Sequence, residues 1–309
     1  MTANIFVLML TFLGIAAAQW YLSERLEEKS INNAVFKVKN FVFNLVDERL
    51  NRAELIASTI LGQPGTVLAV KSLKAYSDQE PISRIVTRLL GSDRYRVVIT
   101  DQEGAPLYKS EREQGGRPRQ ELDYRSSLLR LDDVGSLWDL VIHENEMEIH
   151  YYQFIREHEQ VLGVLDVIFI IDDSLAEYIA GFIGSSLMGD WSSEAPPVSE
   201  SIGAPLTSSF SGRTARTEHY LAFLDNSGRP VAVSFRGDPG VTFQEDALVS
   251  RGVTYDTYRD TVDVKGFPIG LALYSDFYDL TQARWTTFKT TIGVVLAVVI
   301  VVLFIANYL

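Results

Sequence analysis

The chain has 309 residues, a formal net charge of −12 and no cysteine. The acidic balance argues against nucleic acid as a partner, and the absence of cysteine excludes disulfides and metal sites built from thiolates. The sequence also carries no signature of a nucleophile elbow, a phosphate-binding loop or a zinc hydrolase. We therefore expect neither enzymatic activity in this chain nor a bound cofactor or metal.

Two apolar segments lie at the ends of the chain. Ile5–Leu22 and Ile292–Leu309 contain no Asp, Glu, Lys or Arg, and each has about the 20 residues that a helix needs to cross a bilayer. The sequence predicts transmembrane helices over residues 4–22 and 290–309. The first segment has an alternative as a cleaved signal peptide with its cleavage site at Ala16–Ala18. The interfacial pair Trp20 and Tyr21 favours a retained helix.

All of the charged residues lie between the two segments, from Ser23 to Thr291. Positive charge does not decide the side of the membrane, because domains of this length translocate regardless of their charge. A large polar domain tethered at both ends is typical of a membrane sensor. We expect an inner (cytoplasmic) membrane protein whose large domain faces the periplasm or the exterior.

The polar block begins with a long amphipathic helix. From Ser30 to Leu61 apolar residues recur at the three- and four-residue spacing of one helix face. Part of this face must cover the protein's own sheet and part should meet a second copy, so we expect a homodimer, with Val42 and Leu45 on the apolar face. Gln63-Pro64-Gly65 should end the helix, and shorter helices should run to Tyr76 and over Pro81–Leu90.

A repeated turn motif then follows. The pattern D-x-x-G-x-P occurs after an apolar strand at Asp101–Pro106 and again at Asp225–Pro230. In such a turn Asp bonds its own backbone, Gly supplies the left-handed position, and Pro stands where no ladder donor is needed. One copy could be any hairpin, but two copies, each followed by further strands, indicate an internal duplication.

The later parts of the two units also agree. Hairpins are predicted over residues 147–171 and 258–274, and the outgoing strand of each has a glycine between apolar residues, Gly163 and Gly270. Residues 189–212 are rich in Ser, Pro and Gly and are predicted to be a linker. The expected domains are a stalk with a membrane-distal unit over 23–188, and a membrane-proximal unit over 213–284.

In this arrangement the chain resembles the double-CACHE (tandem PAS-like) extracytoplasmic sensor domains of bacterial transmembrane signalling proteins, which include chemoreceptors, histidine kinases and cyclic-di-GMP enzymes. The resemblance covers nearly the whole chain and lies in its architecture. It implies an α+β fold with a long N-terminal helical stalk and two PAS-like antiparallel sheets, flanked by two transmembrane helices. It also implies that the distal unit binds a small ligand and that the proximal unit relays the change.

The sequence departs from the amino-acid-binding members of that family. Those members carry a Trp-aromatic element on a helix and an Asp shortly after the glycine of the last strand. Here the segment from Leu122 to Arg125 lacks the Trp, and Ile168 stands about where that Asp is expected. The resemblance alone therefore implies a small ligand without fixing its class.

A candidate ligand pocket can be drawn on the distal unit. Alternation along the strand from Met147 to Phe154 puts His150 and Tyr152 on one face, and Asp166 is an anomalous charge in an apolar strand. Aromatic walls with one Arg suit a small carboxylate or an amino acid. The alternative is that the aromatic residues are ordinary core and the charges lie at the surface. The predicted ligand-binding residues are Tyr124, Arg125, Trp138, His150, Tyr152 and Asp166.

A second class of function also fits the sequence. A bitopic accessory or assembly subunit, whose outer domain binds another protein, would have the same two anchors. The chain ends at Leu309 without an output module, so we expect either the sensory part of a longer receptor or a subunit that acts through a partner. The duplicated PAS-like unit favours the sensor.

Overall fold

The computed structural model is an α+β protein. It describes residues 2–90, 95–110, 131, 135–187, 219–236, 238–244, 247–250, 253–275, 285, 286, 288–294, 296–298, 300, 301 and 304. The helices are α1 (Thr2–Gly62), α2 (Pro64–Tyr76), α3 (Glu80–Leu89) and α4 (Asp173–Leu187). The strands are β1 (Tyr95–Thr100), β2 (Pro106–Lys109), β3 (Ser136–Ile142), β4 (Met147–Glu157), β5 (Gln160–Ile171), β6 (His219–Leu224), β7 (Pro230–Val233), β8 (Val241–Gln244), β9 (Ala247–Ser250), β10 (Val253–Val264) and β11 (Phe267–Ser275).

The predicted stalk helix is confirmed as the second half of α1. Its apolar face is buried at the predicted spacing, from Val42 through Leu50 and Ala57 to Ile60. The helix ends just before Gln63, and α2 starts with Pro64 in its first turn, where the missing amide proton costs no helical hydrogen bond. The two helix axes differ by 80°.

The predicted membrane segments are helical in the residues that can be described. Residues 4–22 form the start of α1, and residues between 285 and 304 are helical wherever they are described. Within the described part of the chain, no single helix has both the length and the apolar composition needed to cross a membrane. Ile31–Gly62 and Pro64–Tyr76 reach that threshold only as a bent pair, by length and composition alone.

Two sheets share one topological scheme. The first has five strands in the order β2-β1-β5-β4-β3, and the second has six in the order β7-β6-β11-β10-β9-β8. In both sheets the first strand of the unit lies between its hairpin partner and the last strand of the unit, which returns to the sheet centre. The long helix and the two antiparallel sheets confirm the predicted α+β architecture.

The duplicated turn forms in both copies as the motif predicts. The carboxylates of Asp101 and Asp225 each accept hydrogen bonds from the backbone amides two and four residues later, at 2.7–3.0 Å. Gly104 and Gly228 have φ of 89° and 79°, in the left-handed region that favours glycine. The side chain of each Asp therefore fixes its turn locally, before any tertiary contact is made.

The duplication extends beyond the motif to a pair of serines. Ser110 and Ser234 follow the two Asp residues at the same interval. The hydroxyl of Ser110 accepts from the amide of Val97, and that of Ser234 accepts from the amide of Leu221, both at 2.9 Å. Each serine hydroxyl thus takes the place of a backbone carbonyl as the acceptor for a strand amide at the end of its hairpin. This correspondence lies outside the D-x-x-G-x-P motif.

The two predicted strand glycines lie where the last strand passes the first. A Cβ atom on Gly163 would stand 2.3 Å from the carbonyl oxygen of Thr100, and one on Gly270 would stand 2.8 Å from the Cβ atom of Leu224. Both contacts occur beside the irregularity that ends the first strand of each unit, at Thr100 and Leu224. Glycine is therefore required by backbone approach at the equivalent place in both sheets.

The contacts divide the chain into two compact units that are discontinuous in sequence. One comprises Met1–Val38, Gly240–Tyr258 and Tyr274–Leu309, and the other comprises Lys39–Pro239 and Arg259–Leu273. The linear domain boundaries read from the sequence stay a prediction, since the proposed linker, residues 189–212, lies outside the described residues. The candidate ligand-binding site lies entirely within the compact unit that comprises Lys39–Pro239 and Arg259–Leu273.

Candidate ligand-binding site

The register of the first sheet sorts its side chains onto two faces. Val98 on β1, Asp166 on β5, Tyr152 on β4 and Leu137 on β3 stand opposite one another across the four strands, so their side chains emerge on the same side. We call this side of the sheet the site face. Residues two positions before and after each of these four also lie on it. The other side is the stalk face.

The stalk face is the side joined to the helices. The hydroxyl of Tyr95 donates to the backbone carbonyl of Arg49 on α1 at 2.9 Å. Trp138 pairs in register with Tyr151, and their ring centroids are 4.6 Å apart. Because Tyr151 alternates with His150 along β4, Trp138 lies on the stalk face. Trp138 was predicted to bind the ligand together with His150 and Tyr152, but it lies on the opposite side of the sheet from them.

At the centre of the site face is a buried histidine–aspartate pair. His150 Nδ1 and Asp166 Oδ2 are 2.9 Å apart, and both side chains are fully buried. In the register His150 stands opposite Ile168 and Asp166 opposite Tyr152, so the pair crosses diagonally from β4 to β5. Asp166 is thus neither solvated nor an ordinary surface charge.

The pair holds His150 in its charged form. Burial by itself lowers the pKa of His150. The charge of Asp166, the hydrogen bond to it and a smaller contribution from Glu148 outweigh burial and raise the pKa to about 10. At neutral pH the ring is therefore an imidazolium whose Nδ1–H donates to the Asp166 carboxylate.

Three further polar side chains, those of Glu148, Arg96 and His143, adjoin this pair. Glu148 is buried and accepts from Arg96 Nη1 at 2.9 Å, and its other oxygen lies 3.2 Å from His143 Nε2. His150 Nε2 is 3.6 Å from Glu148 Oε2, which is too long for a hydrogen bond. That nitrogen is buried and has no hydrogen-bond partner among the described residues. The site face thus holds a buried N–H that lies in an ion pair with Glu148 but makes no hydrogen bond to the described residues.

Apolar side chains enclose the charged cluster. Tyr152 stacks on His150 with ring centroids 5.5 Å apart. Tyr152 and Val164 form a buried cluster with Leu131, and Leu137 and Phe154 pack against it. The predicted sharing of one face by His150, Tyr152 and Phe154 is confirmed. Leu131, which lies between β2 and β3 in the sequence, therefore reaches the site face.

The cluster presents groups of both charges that can bind a ligand. With His150 protonated, Arg96 and His150 supply two positive charges, and Glu148 and Asp166 supply two negative charges. Such a face offers donors to a carboxylate and acceptors to an ammonium group. Among the described residues, no group of three acidic or histidine side chains is placed to hold a metal ion.

Part of this cluster was predicted from the sequence. His150, Tyr152 and Asp166 are brought together, whereas Tyr124 and Arg125 lie outside the described residues and their role stays a prediction. Arg96 and Glu148 were missed. Both are charged residues in otherwise apolar strands, which is the same signal that had singled out Asp166.

The second sheet provides an internal comparison. Tyr220 lies as far before the second copy of the turn motif as Arg96 lies before the first copy. Leu273 lies as far after the glycine of its strand as Asp166 lies after the glycine of β5. Tyr220 and Leu273 are both buried. The same fold therefore accommodates uncharged side chains at two of the positions where the first sheet has charges.

The chain is similar to several solved structures. No family model matches the chain, and no curated protein matches it. The periplasmic domain of Vibrio cholerae LuxQ is 12% identical, with 78% of this chain and 97% of that chain covered and a TM-score of 0.42. The ligand-binding domain of the Pseudomonas aeruginosa amino acid chemoreceptor PctC, in complex with GABA, is 13% identical, with 81% and 100% covered and a TM-score of 0.42.

A third similar structure is the ligand-binding domain of the Campylobacter jejuni chemoreceptor Tlp3 in complex with L-valine. It is 11% identical, with 84% of this chain and 97% of that chain covered and a TM-score of 0.43. The PctC and Tlp3 structures are ligand-binding domains of chemoreceptors, and the LuxQ structure is a periplasmic domain.

Proposed function

We propose that the chain is the extracytoplasmic ligand-sensing and signalling module of a double-CACHE membrane receptor, of the chemoreceptor, histidine kinase or cyclic-di-GMP class. The observation that carries this proposal is the buried charged cluster on the site face. Transferring charges from water into a protein interior is costly even when they are paired. The uncharged residues at the second-sheet positions equivalent to Arg96 and Asp166 indicate that the fold itself does not need charges at these two places. We attribute the buried charges to recognition of a ligand.

The chemistry of the cluster suggests the ligand. A small molecule with a carboxylate, an ammonium group or both would find partners in Arg96, His150, Glu148 and Asp166. Arg125, predicted from the sequence, would add a second guanidinium for bidentate binding of a carboxylate. Carboxylates and amino acids are therefore the ligand classes to test first, and the second sheet is expected to bind neither.

Calorimetric titration of the purified full chain tests this proposal. Suitable probes are GABA, L-valine and succinate, followed by a wider set of amino acids and carboxylates. For any probe that binds, Arg125→Ala and Arg96→Gln should each lower the affinity by roughly 10- to 100-fold, since a hydrogen bond to a charged group contributes about 1.5–3 kcal/mol. Arg84→Gln is the matched control, because Arg84 lies in an exposed i,i+4 pair with Glu80.

Unchanged affinity in both site variants would move the binding site away from the site face. A probe located against residues 219–275 would show that the roles of the two sheets are reversed. Failure of every probe to bind would favour the accessory subunit over the sensor.

The proposal includes anchoring of the module in a membrane. Residues 4–22 and 290–309 would span the inner membrane, with Ser23–Thr291 outside the cytoplasm. Supporting features are the exposed apolar side chains of the last helix, among them Leu296, Ile300 and Phe304. Trp20 lies with its ring centroid 5.3 Å from that of Trp285, an aromatic contact suited to the lipid–water interface.

Dimerisation through α1 is a further part of the proposal, with a corrected surface. Val42 and Leu45 are 1% and 3% exposed within a single chain, so they belong to the protein's own core. Phe43 is 38% exposed and is the better candidate for contact with a second copy. We expect Phe43→Asp to preserve the fold and to weaken the dimer, whereas Val42→Asp should destabilise the fold by about 3 kcal/mol or more.

Light scattering after size exclusion, together with circular dichroism, distinguishes the two effects. The neighbouring positions serve as controls for each other, since one side chain is buried and the other is exposed. A folded Phe43→Asp variant with an unchanged dimer would exclude this face as the interface.

A further inference from the structure

Arg236 joins three separate parts of the chain through one guanidinium group. It follows β7, and its Nη2 donates to the carbonyl of Val231 on that strand at 2.6 Å. Its Nε lies 2.8 Å from Asp173 Oδ2, and its Nη1 donates to Asn145 Oδ1. Asn145 is in the turn between β3 and β4, and Asp173 is the first residue of α4, directly after β5. Arg236 thus connects the second sheet to the ends of β4 and β5 in the first.

The two contacts on the first sheet lie at the same end of neighbouring strands. Met147 pairs with Ile171 in the β4–β5 register, which puts the β3–β4 turn beside the end of β5. These are the strands that carry the buried pair, His150 on β4 and Asp166 on β5. A change in the spacing or shear of β4 against β5 would therefore alter the separation of Arg236's two partners.

Asp173 strengthens the connection from the other side. Its Oδ1 accepts from the backbone amide of Val233 at 2.7 Å, while its Oδ2 faces Arg236. The preceding residue, Asp172, accepts from the amide of Leu175 at 3.0 Å and so fixes the start of α4 to the end of β5. Helix α4 in turn packs against β6 and β7. Movement at the end of β5 thus reaches β7 through short, directional contacts.

Stability alone does not explain this arrangement. The side chains of Arg236 and Asp173 are 37% and 29% exposed, and partly exposed ion pairs contribute little to stability. The planar guanidinium, however, fixes the directions of its donors, which a lysine ammonium cannot do. The arrangement is therefore better suited to holding three backbone segments in a defined geometry than to stabilising the fold.

We propose that Arg236 is the coupling residue that transmits a change at the His150–Asp166 pair of the first sheet to β7 of the second. This inference rests on the proposed function, because it assigns a route for the signal that ligand binding on the site face would start. In physical terms, Arg236 makes the equilibrium between two arrangements of the second sheet depend on the separation of β4 and β5. Loss of the guanidinium fork should leave each sheet folded and remove this dependence.

Hydrogen exchange of the full chain, read by mass spectrometry, tests the coupling without any ligand. Asp166→Asn is the perturbation, and the readout is amide exchange in β7, residues 230–233. The response of β7 is its change in exchange relative to that of α2, which removes the general loss of stability caused by Asp166→Asn. In an otherwise unchanged chain this response should be about threefold or more. In an Arg236→Ala background exchange in β7 and α2 should change alike, and Arg236→Lys should behave like Arg236→Ala.

Two control backgrounds make the result specific. Arg229→Ala removes an exposed arginine that pairs with Asp225 in the β6–β7 turn, so the response of β7 should survive in it. Lys265→Ala removes a different contact between the two sheets, in which Lys265 lies 5.8 Å from the ring centroid of Trp138, and the response should survive there too. If Asp166→Asn does not fold, His150→Gln takes its place as the perturbation.

Several outcomes would overturn the proposal. One is that β7 does not respond to the perturbation in the unchanged chain. A second is that β7 responds equally in the Arg236→Ala background. A third is that the response is lost with Arg229→Ala or Lys265→Ala. Because no ligand is used, failure here is distinguishable from failure of the calorimetric test. A chain that binds a probe through Arg96 but shows no Arg236-dependent response would keep its proposed function and lose this relay.

Discussion

Replacing Asp166 by asparagine is expected to lower the free energy of unfolding at pH 7 by about 3–5 kcal/mol, which is the range for removing one partner of a buried ion pair. The change leaves the fully buried imidazolium of His150 without the carboxylate 2.9 Å from its Nδ1. The ring must then either remain charged without that partner or lose its proton. Urea unfolding of the full chain, followed by circular dichroism, measures the loss.

The pH dependence identifies the mechanism. The pKa of His150 is raised in the folded chain to about 10 from its ordinary value of 6.5. A group whose pKa is raised by folding stabilises the folded state fully below its unfolded pKa, and this stabilisation is lost as the pH rises through the folded pKa. The difference in unfolding free energy between the unchanged chain and Asp166→Asn should therefore shrink between about pH 7 and pH 10.

An exposed ion pair provides the control. Asp260 lies 2.9 Å from Lys39, and both side chains are about a third exposed or more. Asp260→Asn should cost no more than about 1 kcal/mol. If Asp166→Asn cost as little as Asp260→Asn, the buried pair would not have the energetic role assigned to it.

Replacing Gly163 by alanine is expected to destabilise the first sheet by about 3 kcal/mol or more, at the upper end of overpacking effects. The added Cβ atom would stand 2.3 Å from the Thr100 carbonyl oxygen, which is a backbone atom and cannot rotate away. β1 and β5 would have to separate at their pairing of Thr100 with Val164. Thermal unfolding of the full chain, with hydrogen exchange in β1, measures the effect.

Two other glycines calibrate this prediction. Gly270→Ala should have a smaller effect, because the close atom is the Cβ of Leu224 at 2.8 Å and the carbonyl oxygen is at 3.2 Å. Gly181→Ala in α4, with open space around its Cβ position, should be neutral or should stabilise the helix by about 0.5–1 kcal/mol. Equal effects at Gly163 and Gly181 would show that close approach is not what requires glycine.

Much of the fold was predictable because its signals are local. The apolar pattern of α1 involves only residues three and four positions apart. The end of the helix before Pro64 follows from the missing amide proton of that residue. The two Asp-Gly turns depend on bonds between a side chain and its own backbone. Such patterns need no knowledge of distant partners, so they can be read from one sequence.

The composition of the site was only partly predictable because it depends on register. Alternation along β4 correctly grouped His150 with Tyr152, since both lie on one strand. The face occupied by Trp138 depends on how the β3–β4 turn sets one strand against the other, and one residue of slippage reverses it. The pairing of Arg96 with Glu148 likewise joins two strands that are not neighbours in the sheet.

The central position of the returning strands has a consequence for the kinetics of folding. The β1–β2 and β6–β7 hairpins close within a few residues, on the order of microseconds for such elements, and Asp101 and Asp225 preset their turns. β5 can pair with β1 only when the long loop between β2 and β5 is closed. This pairing therefore has a larger entropy cost of loop closure than the formation of either hairpin. We therefore expect each unit to nucleate at its hairpin and to finish at its glycine strand. A slow folding phase should then report the docking of β5, and a second phase should report that of β11.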